Sequence, residues 1–399
     1  MSERPATAIR LVGRDDDLAA LTATLRSVKA GRMAAVVLCG EAGAGKTSLV
    51  AELTARAVDE GAVLLYGGAL DIAENPPFWP VASALRTLLA EGDARVAAAL
   101  APWTAALDDL LALGGVPALR GAADVPGAQT LELIRRVVVD LARCGPVVLV
   151  VEDLQWVDHS TRDLLVYLIA NLVAEPVLLL VTYRSDAHPD TSATRAFIAE
   201  LQRHRQVRCA EVQPLDRDAV ARIVEQAAPE RPELAELVWT RSGGNAFIVG
   251  ETLRAALEGE PHALPQTLRD LVLSRVEALS PVAQRVVRAV AAAHGPLPHR
   301  LLAAVADAQQ VAEPQLLDAL RESVERGVVV VDEGVAGEGY RLRHGLMTDV
   351  VAGGLLPGER MSLHRAYATA LEGDRARGLP GSLTIRSAPG RGSEVAVQW

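Results

Sequence analysis

Three groups of residues carry side chains suited to anion and metal chemistry: the run Gly40-Glu41-Ala42-Gly43-Ala44-Gly45-Lys46-Thr47-Ser48, the pair Glu152-Asp153, and Arg184. The first has the spacing G-x-x-x-x-G-K-T directly after the apolar stretch Val36-Val37-Leu38-Cys39, the context of a phosphate-binding P-loop between a strand and a helix. Gly40, Gly43 and Gly45 let the backbone curl, so that successive N–H groups and the helix N-terminus converge on one anion. Lys46 then reaches the β and γ phosphates, and Thr47 offers its hydroxyl to Mg²⁺, which takes few protein ligands beside the nucleotide's own oxygens. Of the 40 basic residues only Lys29 and Lys46 are lysines. A chain that uses arginine almost everywhere thus places a compact ammonium where one must fit among phosphates.

Glu152 and Asp153 end the run Val147-Val148-Leu149-Val150-Val151, whose β-branched continuity predicts a strand buried on both faces of a parallel sheet. Two carboxylates at such a strand end, in a chain with a P-loop, read as a Walker B element; the alternative is an acidic pair that only caps the strand. Neighbouring strand residues point to opposite faces, which gives the two acids different roles. Asp153 is assigned to the metal and Glu152 to orienting or deprotonating the attacking water. Arg184 follows a strand over 177–182 and can point at the γ phosphate and sense it, or be a solvated strand-end charge.

The elements that must hold these groups alternate between strand and helix up to about residue 213. An amphipathic helix with Leu18, Leu21 and Leu25 on one face leads in, and a second strand covers 62–66. Helices are expected over 81–89, 95–111 and 130–143, with a Gly/Pro/Ala-rich loop over 114–127. Asp158 caps a helix bearing Leu164, Leu165, Leu168 and Leu172. The fold class is α/β: a doubly wound parallel-sheet P-loop NTPase core over 1–213, followed by a helical lid over 214–278 and a winged-helix-like domain over 279–372, with a tail over 373–399. In the third of these, three helices precede a two-stranded wing at 328–331 and 340–342.

Composition narrows the partners. A formal net charge of −10 argues against a generic nucleic-acid binder, and 13 aromatics are too few for a base-stacking platform. The expected third winged-domain helix carries Glu313, Asp318, Glu322 and Glu325 against two arginines, a poor surface for a phosphate backbone. Cys39, Cys144 and Cys209 sit singly and read as small core residues of a reducing compartment. No apolar N-terminal stretch reads as a signal peptide and no run reaches the length of a membrane span, so a cytoplasmic location is expected.

Taken together, GEAGAGKT, VVLVVEDLQWVDHST, LLLVTYRSD, RSGGNAFIVGETL, LPQTLRDLVLSRVEALS and YRLRHGLMTDVV resemble the STAND class of AAA-related ATPases. Within it they look most like the ATPase portion of the large ATP-binding regulators of the LuxR family, over about residues 9–372. The resemblance implies that Val12, Gly13 and Arg14 lie on the adenine side, that Arg184 is the sensor arginine, and that His344 touches a nucleotide phosphate in the resting state; a histidine bonded only within its own domain is the other reading. It implies ATP/ADP and Mg²⁺ as cofactors, and a slow ATPase switch held closed by ADP, opened by ATP and reset by hydrolysis, with a protein partner or self-association. The chain departs from the family in having Ala246 where a proline is usual, and neither the family's helical-repeat sensor nor its LuxR-type helix-turn-helix is read within these residues. Residues 378–399 resemble the last hairpin of a histidine-kinase ATPase domain. A DNA-binding transcription factor and a nucleotide-locked scaffold that never turns over are the competing functions.

Overall fold

A computed structural model describes residues 11–69, 75–113, 127–185, 191–258, 266–293, 296–332, 339–376, 382–388 and 392–398. The chain divides between Gln213 and Pro214 into two compact units.

The first unit is built on five strands: β1 (Ala34–Gly40), β2 (Val63–Gly68), β3 (Val147–Glu152), β4 (Val177–Arg184) and β5 (Val207–Glu211). All pairings are parallel and the spatial order is β2-β3-β4-β1-β5, so β4 separates the strand before the P-loop from the strand that carries the acids. Alternation along the strands divides the core in two. Ala35, Val37, Leu149, Val151, Leu179 and Val181 face one layer of helices, including Gly127–Leu141 and His159–Asn171. Val36, Leu38, Val148, Val150, Leu178 and Leu180 face the other, where Leu18, Leu21 and Leu25 of helix Asp15–Lys29 meet Leu49, Val50 and Leu53 of helix Lys46–Asp59. Apolar residues on both sides of the central strands thus produce a parallel sheet covered on both faces.

Strands 63–68 and 177–184 run further than their apolar runs, and the second carries Arg184 inside the ladder opposite Gly40. The edge strand β5 and the helix Thr191–Leu201 give no apolar run in the sequence, and β5 has only its first residue fully buried. Cys209 lies on that strand and is exposed, which corrects its reading as a core residue; Cys39 and Cys144 are partly buried. Most of the expected loop over 114–127 lies outside the described residues.

The second unit opens with four helices, Arg217–Ala227, Leu234–Ser242, Ala246–Leu257 and Gln266–Glu277. Asp216 and Asn245 cap the first and third through side-chain bonds to the Ala219 and Ile248 N–H groups. Gly244 is required for close approach, since a Cβ there would lie 2.1 Å from the Leu215 carbonyl oxygen. Helices Pro281–Ala292, His299–Ala308 and Glu313–Glu325 follow, with β6 (Leu297–Pro298), β7 (Val329–Asp332) and β8 (Gly339–Leu342) forming an antiparallel sheet in the order β6-β8-β7. The two expected wing strands are therefore joined by a short third. Helices Gly345–Gly353 and Pro357–Ala376 complete a shared core in which Tyr367 is fully buried and donates its hydroxyl to the Ala289 carbonyl at 2.7 Å. Strands β9 (Ser382–Ala388) and β10 (Gly392–Gln398) pair antiparallel in the tail. Among the described residues no helix is long and apolar enough to cross a membrane.

Candidate nucleotide site

The loop between β1 and helix Lys46–Asp59 adopts the curled path its glycines predict. Gly43 and Gly45 have φ of +77° and +99°, in the left-handed region that a side chain disfavours, and Gly45 stands directly before the helix. At Gly40 a Cβ would lie 2.9 Å from the Val212 carbonyl oxygen, so the backbone of the loop's first residue passes too close to its neighbour for any side chain. The Ala44 N–H closes a turn onto the Glu41 carbonyl at 3.1 Å.

Lys46 is buried, and its Nζ donates to the Gly40 and Glu41 carbonyls, each at 2.8 Å. The ammonium is therefore folded over the loop, with its charge held at the curl of backbone that the glycines create. Ala42 and Gly43 are half-buried, Ala44 is buried, and Thr47 and Ser48 on the first helical turn are exposed. A hydroxyl at that position is open to solvent and to a ligand.

Glu152 ends β3 on the face shared by Tyr66, Val150 and the P-loop helix. Tyr66, near the end of β2, donates its hydroxyl to Glu152 Oε2 at 2.6 Å. Burial, and then the bond to Glu152 and its charge, hold the Tyr66 phenol above its ordinary pKa, so it is a protonated donor at neutral pH. The other oxygen, Glu152 Oε1, is buried with no hydrogen-bond partner.

Asp153 does not continue the strand. Its φ and ψ of 59° and 57° are left-handed, a conformation uncommon for a non-glycine residue outside special turns. Strand alternation, the reason for separating the roles of the two acids, therefore stops at Glu152. Asp153 N–H donates to Thr182 Oγ1 at 3.0 Å, and its carboxylate is clasped by Arg184, Nε to Oδ1 at 2.9 Å and Nη2 to Oδ2 at 3.2 Å. Gln155 completes the cluster, donating to Asp153 Oδ1 at 2.9 Å and accepting the Arg184 N–H at 3.2 Å. The proposed metal ligand and the proposed sensor arginine thus hold each other. The side chains are 29% and 41% exposed, so solvent screens the pair and a cation or phosphate can compete for either member.

The N-terminal motif forms a turn, with Val12 and Gly13 half-buried and Gly13 at φ +73°. Arg14 is buried and donates from Nη2 to the Ala44 carbonyl at 2.7 Å, which ties this segment to the P-loop. His344, in the second unit, is buried at the start of helix Gly345–Gly353, and Gly243 approaches its Nδ1 closely enough that a Cβ there would lie 3.5 Å away.

Sequence reasoning left out Tyr66, Gln155 and Thr182. Gln155 stands two residues past Asp153, but the left-handed turn that folds it back onto the acid is visible only in the structure. Tyr66 and Thr182 act across the sheet, and only the pairing of strands brings them to the acids.

Residues 10–181 match a protein-family model described as AAA ATPase domain. This segment therefore carries an AAA-type ATPase domain. A curated relative, an uncharacterized protein of Rhizobium meliloti (strain 1021), is 26% identical over 269 residues; the match takes in 60% of this chain and 24% of that protein, so this chain spans about a quarter of its length. Similar solved structures include three, from Pyrococcus, Pyrobaculum and Aquifex. A signal transduction ATPase with numerous domains and a tetratricopeptide repeat sensor, from Pyrococcus horikoshii, has a TM-score of 0.37 and 16% identity over 88% of this chain and 45% of that one. Cdc6p of Pyrobaculum aerophilum has 0.43 and 13% over 92% and 97%. AMPPCP-bound DnaA of Aquifex aeolicus has 0.41 and 14% over 94% and 93%.

Proposed function

We propose that the chain is an ATP-binding, slowly hydrolysing switch of STAND type, related to transcriptional regulators of the LuxR family. The observation that carries the reading is the glycine-lined P-loop with a buried lysine ammonium folded over it, in a segment that matches an AAA ATPase domain. Loop N–H groups and Lys46 bind the phosphates, and Glu152, pinned through one oxygen by Tyr66, orients the attacking water with the other.

The clasp between Asp153 and Arg184 supports a switch rather than a fast enzyme. Breaking it releases one anionic and one cationic group together, and a γ phosphate with its cation is the species that satisfies both. The residues fit Mg²⁺: Thr47 presents an exposed hydroxyl, and Asp153 becomes available when Arg184 lets go. When bound, the cation would neutralise charge on the phosphates. Mg²⁺ takes few protein ligands, so phosphate oxygens and water would complete its shell.

The second unit reads as a helical lid over 214–278 and a winged-helix-like domain over 279–372, where the three-stranded sheet and helices 281–292, 299–308 and 313–325 support that assignment. His344 is its candidate for a resting-state phosphate contact. A protein partner or self-association is expected, and DNA binding by this chain is not.

Purified protein should turn over ATP slowly, only with Mg²⁺, and retain ADP. Nucleotide retention with no single-turnover hydrolysis would favour a locked scaffold instead. A gel shift at low salt that survives competitor DNA would favour the transcription-factor reading.

A further inference from the structure

Arg14 is 6% exposed and thirty positions before the loop residue it touches, yet its Nη2 lies 2.7 Å from the Ala44 carbonyl oxygen. Its second contact is a looser one, Nη1 to Asp17 Oδ2 at 3.5 Å. Burying a guanidinium is costly without close acceptors, and here the P-loop carbonyl is the closer of the two. Burial lowers the Arg14 pKa from its ordinary value while Asp17 opposes that shift, and the group keeps its charge.

The consequence follows from peptide geometry. The described residues contain no cis peptide bonds, and in a planar trans peptide the C=O and the following N–H point in opposite directions. The Ala44 N–H is already committed to the Glu41 carbonyl, so the bond from Arg14 fixes the remaining freedom of this corner of the loop. With Ala44 C=O held on the Arg14 side, the Gly45 N–H must face away from it. Glycine at φ +99° would otherwise let this peptide rotate easily.

We propose that Arg14 is a positioning residue for the anion cradle: by holding the Ala44 carbonyl outward, it aims the Gly45 N–H at the bound phosphates. The role assigned by resemblance, contact with the adenine side, is different, since a positioning role makes Arg14 matter equally for every ligand that carries the phosphate chain. The inference rests on the reading of residues 40–47 as the nucleotide site.

The test measures the affinities of the full chain for ATP, GTP and inorganic tripolyphosphate, in wild type, Arg14→Ala, Arg14→Lys and Asp17→Asn, with thermal melting as a check on folding. Arg14→Ala should weaken all three ligands by the same factor, roughly tenfold or more, and leave the ATP to GTP ratio unchanged. Arg14→Lys, which keeps the charge but not the fork, should also weaken all three, and Asp17→Asn should change none by more than about twofold. In amide NMR, tripolyphosphate should shift the Gly45 N–H downfield in wild type and not in Arg14→Lys. A loss confined to ATP, with tripolyphosphate unaffected, would overturn the proposal in favour of adenine contact; full binding by Arg14→Lys with the Gly45 shift preserved would reduce Arg14 to a source of charge. Wild type that binds no ligand would defeat the nucleotide reading itself, a separate result. If Arg14→Ala does not fold, Arg14→Lys and the Gly45 signal decide alone.

Discussion

The Tyr66 hydroxyl lies 2.6 Å from one oxygen of Glu152, while the other oxygen of the same carboxylate is buried with no partner. One bond therefore fixes the rotation of the acid, and in the proposed mechanism the second oxygen orients the attacking water. Tyr66→Phe removes the fixing bond and keeps the ring. It should lower kcat by about tenfold to a hundredfold, in the range of one hydrogen bond to a charged group, with nucleotide affinity changed less than about twofold. Steady-state turnover beside equilibrium binding checks this. Because the phenol pKa is raised, the kcat profile should show no tyrosine break below pH 10.0, its ordinary value.

The clasp of Arg184 on Asp153 makes a different prediction. Arg184→Gln leaves Asp153 with Gln155 and no cation, so a divalent ion meets less competition for that carboxylate. The Mg²⁺ concentration that half-saturates nucleotide binding should fall several-fold, and the preference for ATP over ADP should shrink. Magnesium titrations with each nucleotide check both parts, and an unchanged requirement would detach Arg184 from the proposed role of Asp153 as a metal ligand.

Gly67 tests the scaffold beneath the acids. A Cβ there would sit 1.9 Å from the Pro80 carbonyl oxygen, where helix Trp79–Glu91 crosses the end of β2. Gly67→Ala should destabilise the first unit by about 3 kcal/mol or more, because the obstacle is backbone rather than a side chain that can turn. Denaturant melts compared with Gly61→Ala, where no atom lies within 4 Å of the added methyl but φ is +84°, separate crowding from left-handed strain.

Cys39, immediately before the P-loop, has its thiol pushed up to about 11, mainly by burial, with Cys209 and Glu211 adding to the shift. The thiolate is the reactive form, so alkylation at pH 8 should leave Cys39 unmodified, and its rate should climb roughly tenfold per pH unit as the solution approaches pH 11. Peptide mass spectrometry after timed iodoacetamide treatment reads this directly. Rapid labelling of Cys39 at pH 8 would contradict the burial.

The sheet and the P-loop were legible because each is a local pattern. Runs such as Val147–Val151 and 177–181 are continuously apolar, and G-x-x-x-x-G-K-T spells out its own backbone. What was not legible depends on chain segments far apart in sequence. Nothing near Tyr66 indicates that strand pairing will set it against Glu152, and nothing near Arg14 names Ala44 as its acceptor. Asp153 shows a further limit: its left-handed backbone breaks the alternation that a strand would impose, and only the geometry reveals that the two acids leave the strand differently. The edge strand β5 was missed because half-exposed residues leave no apolar run to read.

In the proposed function, the loop around Lys46 holds a nucleotide through its phosphates. Calorimetric titration of ATP and ADP into nucleotide-stripped wild type and Lys46→Ala tests it most directly. Wild type should bind both with micromolar affinity or better, and Lys46→Ala, folded as judged by its melt, should lose at least about a hundredfold, since a buried ammonium beside the phosphates is removed. Equal binding by the two proteins would show that the loop around Lys46 is not where the nucleotide is held.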